Sequence, residues 1–278
     1  GITHKVDKHQ AFYGSYSVAN KEPNRSDYVE SSPNSRPLHE TLYDTEIGYK
    51  YKNKRLMFNA NLYYMDYDNQ LIKTGEINDV GYFTSKNVKK SFRRGIELEA
   101  AYLISSRIHI SGNLTLSENK LDILRQFIDN WDTGIQNEIV HQNTDLAFSP
   151  KIIWATNVNF KLNNNTDINF NSKYVGEQFI DNTSSTERML NDYLINNLQI
   201  NYSIKNPVFK IAKISLLINN IFNNEYISNA WLYRFISNHS DPRENDHYVT
   251  KGSDNIYNMA GYFPQAKRNY LFGLTLGF

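Results

Sequence analysis

The 278-residue sequence contains no cysteine. Disulfide frameworks, thiolate metal sites and cysteine nucleophiles are thereby excluded together. It also lacks bulk charge. Thirty basic and 29 acidic side chains leave +1, and the basic residues are scattered, so nothing directs the chain towards nucleic acid. No run of about 18 apolar residues occurs, which excludes a membrane-spanning helix. A Gly-rich phosphate loop, a nucleophile elbow and a zinc-binding helix motif are all missing, and no cofactor is expected. The opening GITHKVDKHQ has no initiator Met and no apolar core of a signal peptide. The expectation is that the chain begins partway through a larger unit.

Aromatic and amide side chains are abundant instead: 20 Tyr, 15 Phe and 3 Trp in a sequence of polar mean hydropathy. The dominant period is two. In IHISGNLTLS, Ile108, Ile110, Leu114 and Leu116 share one face, and His109, Ser111, Asn113 and Thr115 the other. IIWATNVNFKL, TDINFNSKY, LINNLQINYSI and GIELEAAYLI alternate in the same way. Such alternation signals strands with two unlike environments. About ten are expected, near 10–19, 41–52, 54–72, 91–104, 107–119, 150–162, 166–180, 191–205, 213–227 and 266–278. Several exceed the ~5–6 residues of soluble strands and match the ~9–11 of tilted membrane strands.

Connections alternate between short (52–55, 105–107, 163–166, 205–213) and long (20–40, 73–90, 120–149, 181–190, 228–265). That asymmetry, with no linker in between, fits an all-β, antiparallel transmembrane β-barrel portion with short turns at one rim and long loops at the other. A soluble β-sandwich remains the competing architecture. The polar face favours the barrel, because it is rich in Asn, Gln and Ser, as a hydrated lumen would be. Tyr and Phe gather near strand ends, as in LYYMDY (62–67) and YISNAWLYRF (226–235), where an interfacial girdle would sit.

Five segments, in order, resemble the C-terminal barrel half of TonB-dependent outer-membrane receptors: FYGSYSVANKEPNR (12–25), NSRPLHETLYDTEIGYKY (34–51), SFRRGIELEAAY (91–102), LLINNIFNNEY (216–226) and YFPQAKRNYLFGLTLGF (262–278). The resemblance covers essentially all of residues 1–278 and implies the last ten or so strands of a larger barrel. The TonB box, plug and early strands of that family have no counterpart here. It further implies a Gram-negative outer membrane, a periplasmic C-terminus, a plug linked to the TonB complex, handling by the outer-membrane assembly machinery and contact with the lipid bilayer. The expected function is active uptake of a scarce, bulky ligand, with an iron–siderophore first by family frequency. A ten-stranded protease-like barrel and a passive porin are the alternatives, and no catalytic residue is assigned.

Candidate residues follow. Parity sends Glu97 and Glu99 to the lumen, either against a plug or on a solvated wall; charge on the lipid side at mid-depth would cost ~2–4 kcal/mol for Arg. Trp231, Tyr233, Phe235, His239 and His247, with Trp131 and His141 in another loop, either contact an extracellular ligand or pack on one another. His239 with Asp241 and His247 with Asp246 do not place two ligands on one face, so no metal is expected. Tyr270, Phe272, Leu274, Leu276 and Phe278 form the terminal apolar face, read as an assembly signal or as plain lipid contact.

Overall fold

The structure, a computed structural model, describes residues 1–31, 36–78, 81–204 and 209–277. Its strands are β1 (Ile2–Lys5), β2 (Gln10–Lys21), β3 (Glu40–Lys52), β4 (Leu56–Ile77), β5 (Phe83–Leu103), β6 (Ile108–Asn130), β7 (Ile135–Asp145), β8 (Ile152–Lys161) and β9 (Thr166–Val175). They continue with β10 (Gln178–Phe179), β11 (Met189–Leu190), β12 (Tyr193–Ser203), β13 (Ile211–Asn219), β14 (Ile227–Ile236), β15 (Val249–Lys251), β16 (Tyr257–Pro264) and β17 (Asn269–Gly277). A short α-helix, α1 (Arg25–Glu30), follows β2, and a 3-10 turn (Pro242–Glu244) lies between β14 and β15.

Eleven strands make one antiparallel wall in the order β1-β2-β3-β4-β5-β6-β8-β9-β12-β13-β17, open at β1 and β17. The register sorts the side chains. Leu62, Ile96, Leu116 and Ile152 lie in line on one face, and Asn61, Glu97 and Thr115 on the other. On β17, Phe272 is 73% exposed on the apolar face although it is aromatic, as expected of a surface that meets hydrocarbon. Tyr270, Leu274 and Leu276 share that face; Phe278 lies outside the described residues.

The apolar band has a sharp upper limit. One step above Ile96 the row becomes Tyr64, Arg94 and Glu118, and Arg94 Nε donates to Glu118 Oε2 at 2.7 Å. From Ile96 to Ile104 the strand runs about 27 Å, or about 20 Å along the membrane normal at ~45° tilt, close to the ~25 Å band of outer-membrane barrels. Alternation and lipid thickness therefore agree on where the hydrocarbon begins.

Above that level the strands do not stop. The connections expected at 73–90, 120–149 and 228–265 are largely strand: β4 and β5 continue to Ile77 and from Phe83, β6 and β7 form a long hairpin, and β14 pairs with β16. Asn69 and Asn143 adopt left-handed φ of 57° and 53°, a conformation Asn tolerates better than most residues. Beyond Asn69 the buried positions are Gln70, Ile72 and Thr74, which no longer follow the parity of Asn59 and Asn61. Ile72 joins Val88, Leu121, Leu124 and Leu146 in a small dry core inside the mouth.

A charge placed on the apolar face discriminates the two faces. Leu98→Arg should lower unfolding free energy in lipid by about 2–4 kcal/mol, whereas Thr115→Arg, on the inward face, should change it by under about 1 kcal/mol. Equal losses in denaturant titrations of the complete receptor would contradict the assignment of faces.

Candidate functional site

The functional side chains gather where the β14/β16 hairpin crosses the mouth. β14 meets the tip of β6 in parallel register, Phe235 opposite Asp129 and Ile236 opposite Asn130, and Trp131 N donates to Ile236 O at 2.9 Å. Phe235 is 0% exposed because aromatic rings surround it. Trp131 stacks on it at 3.9 Å between centroids and 12° between planes, with Tyr233 and Tyr257 at 5.5 and 5.6 Å.

Polar groups fix this cluster. Tyr233 OH donates to Asp129 Oδ2 at 2.6 Å and accepts from Trp131 Nε1 at 3.0 Å. Burial, then the Asp129 carboxylate, pushes the phenol up to about 12. At the tip of the β6/β7 hairpin, Asp132 faces Asn238 and His239 from the last connection: Asn238 N and Nδ2 each donate at 2.8 Å, and His239 Nδ1 lies 2.8 Å from Oδ1. The His239 ring, followed by the Asn238 donors, holds the Asp132 carboxyl down at about 2.

Beneath the hairpin lies a cavity of about 490 Å³, closed by β4, β6, the segments around 147 and 182, and β14. Phe83, Phe127, Trp231 and Tyr233 give it aromatic sides; Arg93 on the wall and Arg234 on β14 give it cationic corners. The Arg93 Nε is buried without a hydrogen-bond partner. Arg234, 7% exposed, donates from Nε to Asn258 Oδ1 at 2.9 Å and from Nη1 to Gln126 Oε1 at 3.1 Å, and pairs with Asp254. Burial, then nearby Arg188, lowers its pKa from the ordinary guanidinium value. Trp231 lies across Gly261, where a Cβ would fall 2.0 Å from its Nε1, so only glycine admits the indole there.

The sequence candidates thus separate. Trp231 and Tyr233 line the cavity; Phe235, Trp131 and His239 bind the two hairpins together. His141 Nε2 lies 3.0 Å from Gln126 Oε1, behind the Arg234 cluster, and burial pushes its pKa down. His247 is exposed on the turn before β15, away from the others. Glu97 and Glu99 lie lower, on the inward face, beside Lys50, Asn61 and Thr115 around a polar recess of about 470 Å³; Asn59 Nδ2 donates to Glu99 Oε2 at 2.8 Å. Arg93 and Arg234 were not foreseen. Parity with Gly95 and Glu97 was an available signal for Arg93; Arg234 gave none, since its partners come from two other segments, Gln126 on β6 and Asp254 with Asn258 around the start of β16. Among the described residues no group of three His, Asp or Glu could hold a metal.

An open antiparallel wall of eleven strands with an aromatic mouth is the architecture of a partial β-barrel. The family described as TonB dependent receptor-like, beta-barrel matches residues 1–221, and the chain belongs to it. It is a family of transport receptors rather than enzymes, found in Gram-negative outer membranes. The fold is similar to the siderophore receptor PiuA of Acinetobacter baumannii (TM-score 0.70, 16% identity, 98% of this chain, 34% of that one). It is also similar to the ferric-catecholate import receptor Fiu of E. coli K12 in its closed form (0.63, 16%, 97% and 33%). A third likeness is to a Q482A mutant of the ferric enterobactin receptor PfeA of Pseudomonas aeruginosa in complex with enterobactin (0.65, 14%, 99% and 40%). The chain spans about a third to two-fifths of those chains. No curated protein matches it in sequence.

Tyr233→Phe removes both hydroxyl contacts between the hairpins. Amide exchange in β14 should accelerate about ten- to a hundredfold, from the ~1.5–3 kcal/mol that a hydrogen bond to a charged group contributes, while β9 and β12 stay unchanged. The Asp132 contact carries its own pH signature. Its folded pKa is lowered, so the stabilisation is present above the unfolded value of 3.8 and is lost as pH falls towards about 2. Through this carboxylate, exchange near Trp131 should rise only below about pH 4; a rise unaffected by Asp132→Asn would contradict that source.

Proposed function

We propose that residues 1–278 are the C-terminal part of the barrel of a receptor for TonB-driven uptake of a scarce, bulky ligand, an iron–siderophore first among candidates. The observation carrying this reading is the cavity under the β14/β16 hairpin. Its volume of about 490 Å³ falls within the ~300–1,000 Å³ of small-molecule sites, and aromatic sides with two guanidiniums suit a flat, anionic chelate. Trp231, Tyr233 and Arg93 are the proposed contacts. Names of the similar structures, which include siderophore, ferric-catecholate and enterobactin receptors, support that ligand class.

In this reading the short turns and the end of β17 face the periplasm, and the long hairpins face the cell exterior. Glu97 and Glu99 face a plug from the rest of the receptor, through which the TonB complex acts. The outward row Tyr270, Phe272, Leu274 and Leu276, with Phe278, serves recognition by the outer-membrane assembly machinery.

The test is uptake of radioactive iron from a ferric catecholate by cells carrying the complete receptor. Uptake should fall to background without TonB, and Trp231→Ala or Arg93→Ala should weaken binding about tenfold while leaving receptor abundance unchanged. Uptake that persists without TonB, accompanied by steady conductance in planar bilayers, would identify a passive pore.

A further inference from the structure

Charge is segregated along the barrel axis. Every ion pair among the described residues lies at the end bearing the long hairpins or at the upper limit of the apolar band. The opposite rim is cationic and unpaired. On its turns lie Lys8, Lys54, Arg55, Arg107 and Lys210, all exposed. Lys5, Lys50, Lys52, Lys161 and Lys213 lie just inside, on strand positions that share the inward face. None of these ten has an ion-pair partner among the described residues. In sequence, the connecting segments 6–9, 53–55, 104–107, 162–165 and 204–210 contain one acid, Asp7, and its carboxylate already accepts from His9 N at 2.6 Å and Gln10 N at 2.9 Å. In a chain of net charge +1, such a rim is a local excess rather than a bulk property.

We propose that the cations on the short turns bind anionic phospholipid headgroups of the leaflet that surrounds this rim. Three features select lipid over a protein partner. The five charges occupy four of five successive turns, so they follow the wall around its arc instead of meeting at one spot. Directly above them the apolar face carries Phe12, Tyr49, Phe58, Tyr102 and Phe160, rings suited to the headgroup boundary. Long Lys and Arg stems beside such rings place their charge at phosphate depth. The inward five cannot reach that leaflet; Lys50, for example, lies over the Tyr13 ring at 4.7 Å.

The proposal rests on the outward reading of the apolar face, and its test does not depend on the ligand. The complete receptor is reconstituted in phosphatidylcholine vesicles, and spin-labelled phosphatidylglycerol and phosphatidylcholine are compared at its surface. The unchanged receptor should prefer phosphatidylglycerol about threefold, and the preference should collapse in about 1 M salt. Changing Lys8, Lys54, Arg55, Arg107 and Lys210 to Gln should bring it to about one, whereas Lys5, Lys50, Lys52, Lys161 and Lys213 to Gln should leave it unaltered. Circular dichroism checks folding; if the fivefold turn variant fails, Lys54→Gln with Arg55→Gln should still remove about half of the preference. No initial preference, an unchanged preference in the turn variants, or a loss confined to the inward set would each overturn the proposal. Failure of the membrane orientation is distinguishable, since it would appear as surface labelling of a Lys54→Cys receptor on intact cells.

Discussion

Hydrocarbon offers backbone amides no partner, and the wall is organised around that fact. Each unpaired N–H or C=O at membrane depth costs several kcal/mol, so a chain with no spanning helix must pair every strand on both sides. The antiparallel ladder from β1 to β17 does this for all but its two outermost strands. Those edges cannot face lipid, and pairing them calls for further strands, in keeping with a chain that spans about a third of its structural neighbours. Side-chain alternation is then a consequence: with the backbone fixed as a two-faced sheet, one face takes Leu, Ile, Phe and Tyr, and the other takes Asn, Ser and Thr.

Above the Tyr64–Arg94–Glu118 row the constraint relaxes, and the structure changes character there. Water can satisfy the backbone, so strands can bulge, end or cross. Left-handed Asn69 and Asn143 fall in this region, and beyond them the long hairpins turn apolar residues inward onto Ile72, Leu121 and Leu124. The mouth is therefore built like a small soluble core set on a membrane wall. That core gives the aromatic cluster a rigid base, and the cavity exists because β14 is held across it rather than free in solvent.

The two halves of this design were unequally legible. Strands within the membrane were read to within a few residues: 10–19 against Gln10–Lys21, 41–52 against Glu40–Lys52, and 150–162 against Ile152–Lys161. Alternation is imposed there by lipid and survives in sequence without knowledge of partners. The extensions of β4 to β7 were taken for loops because the change of face after Asn69 interrupts the period. β14 was seen as an aromatic cluster and not as a strand, since its pattern answers to β16 and to a parallel contact with β6 that no local signal announces. The same limit applied to the site. Trp231 and Tyr233 stood out by residue type, whereas Arg234 depends on Gln126 and Asn258, which lie 108 and 24 residues away.

Arg234 also shows why the mouth is not simply apolar. A buried guanidinium carries a desolvation cost that an ion pair with Asp254 offsets only with further hydrogen bonds, and here Gln126 and Asn258 supply them. A methionine of similar reach would pack as well and cost less to bury. It would not, however, select one alignment of β14 against β6, because apolar contacts tolerate sliding while a fork of donors does not. The parallel contact between β14 and β6 is short, two residue pairs, and lies outside the eleven-strand ladder of the wall. Directional bonds from Arg234, Tyr233 and Asp132 are what remain to set its register, and they converge on the hairpin that roofs the cavity.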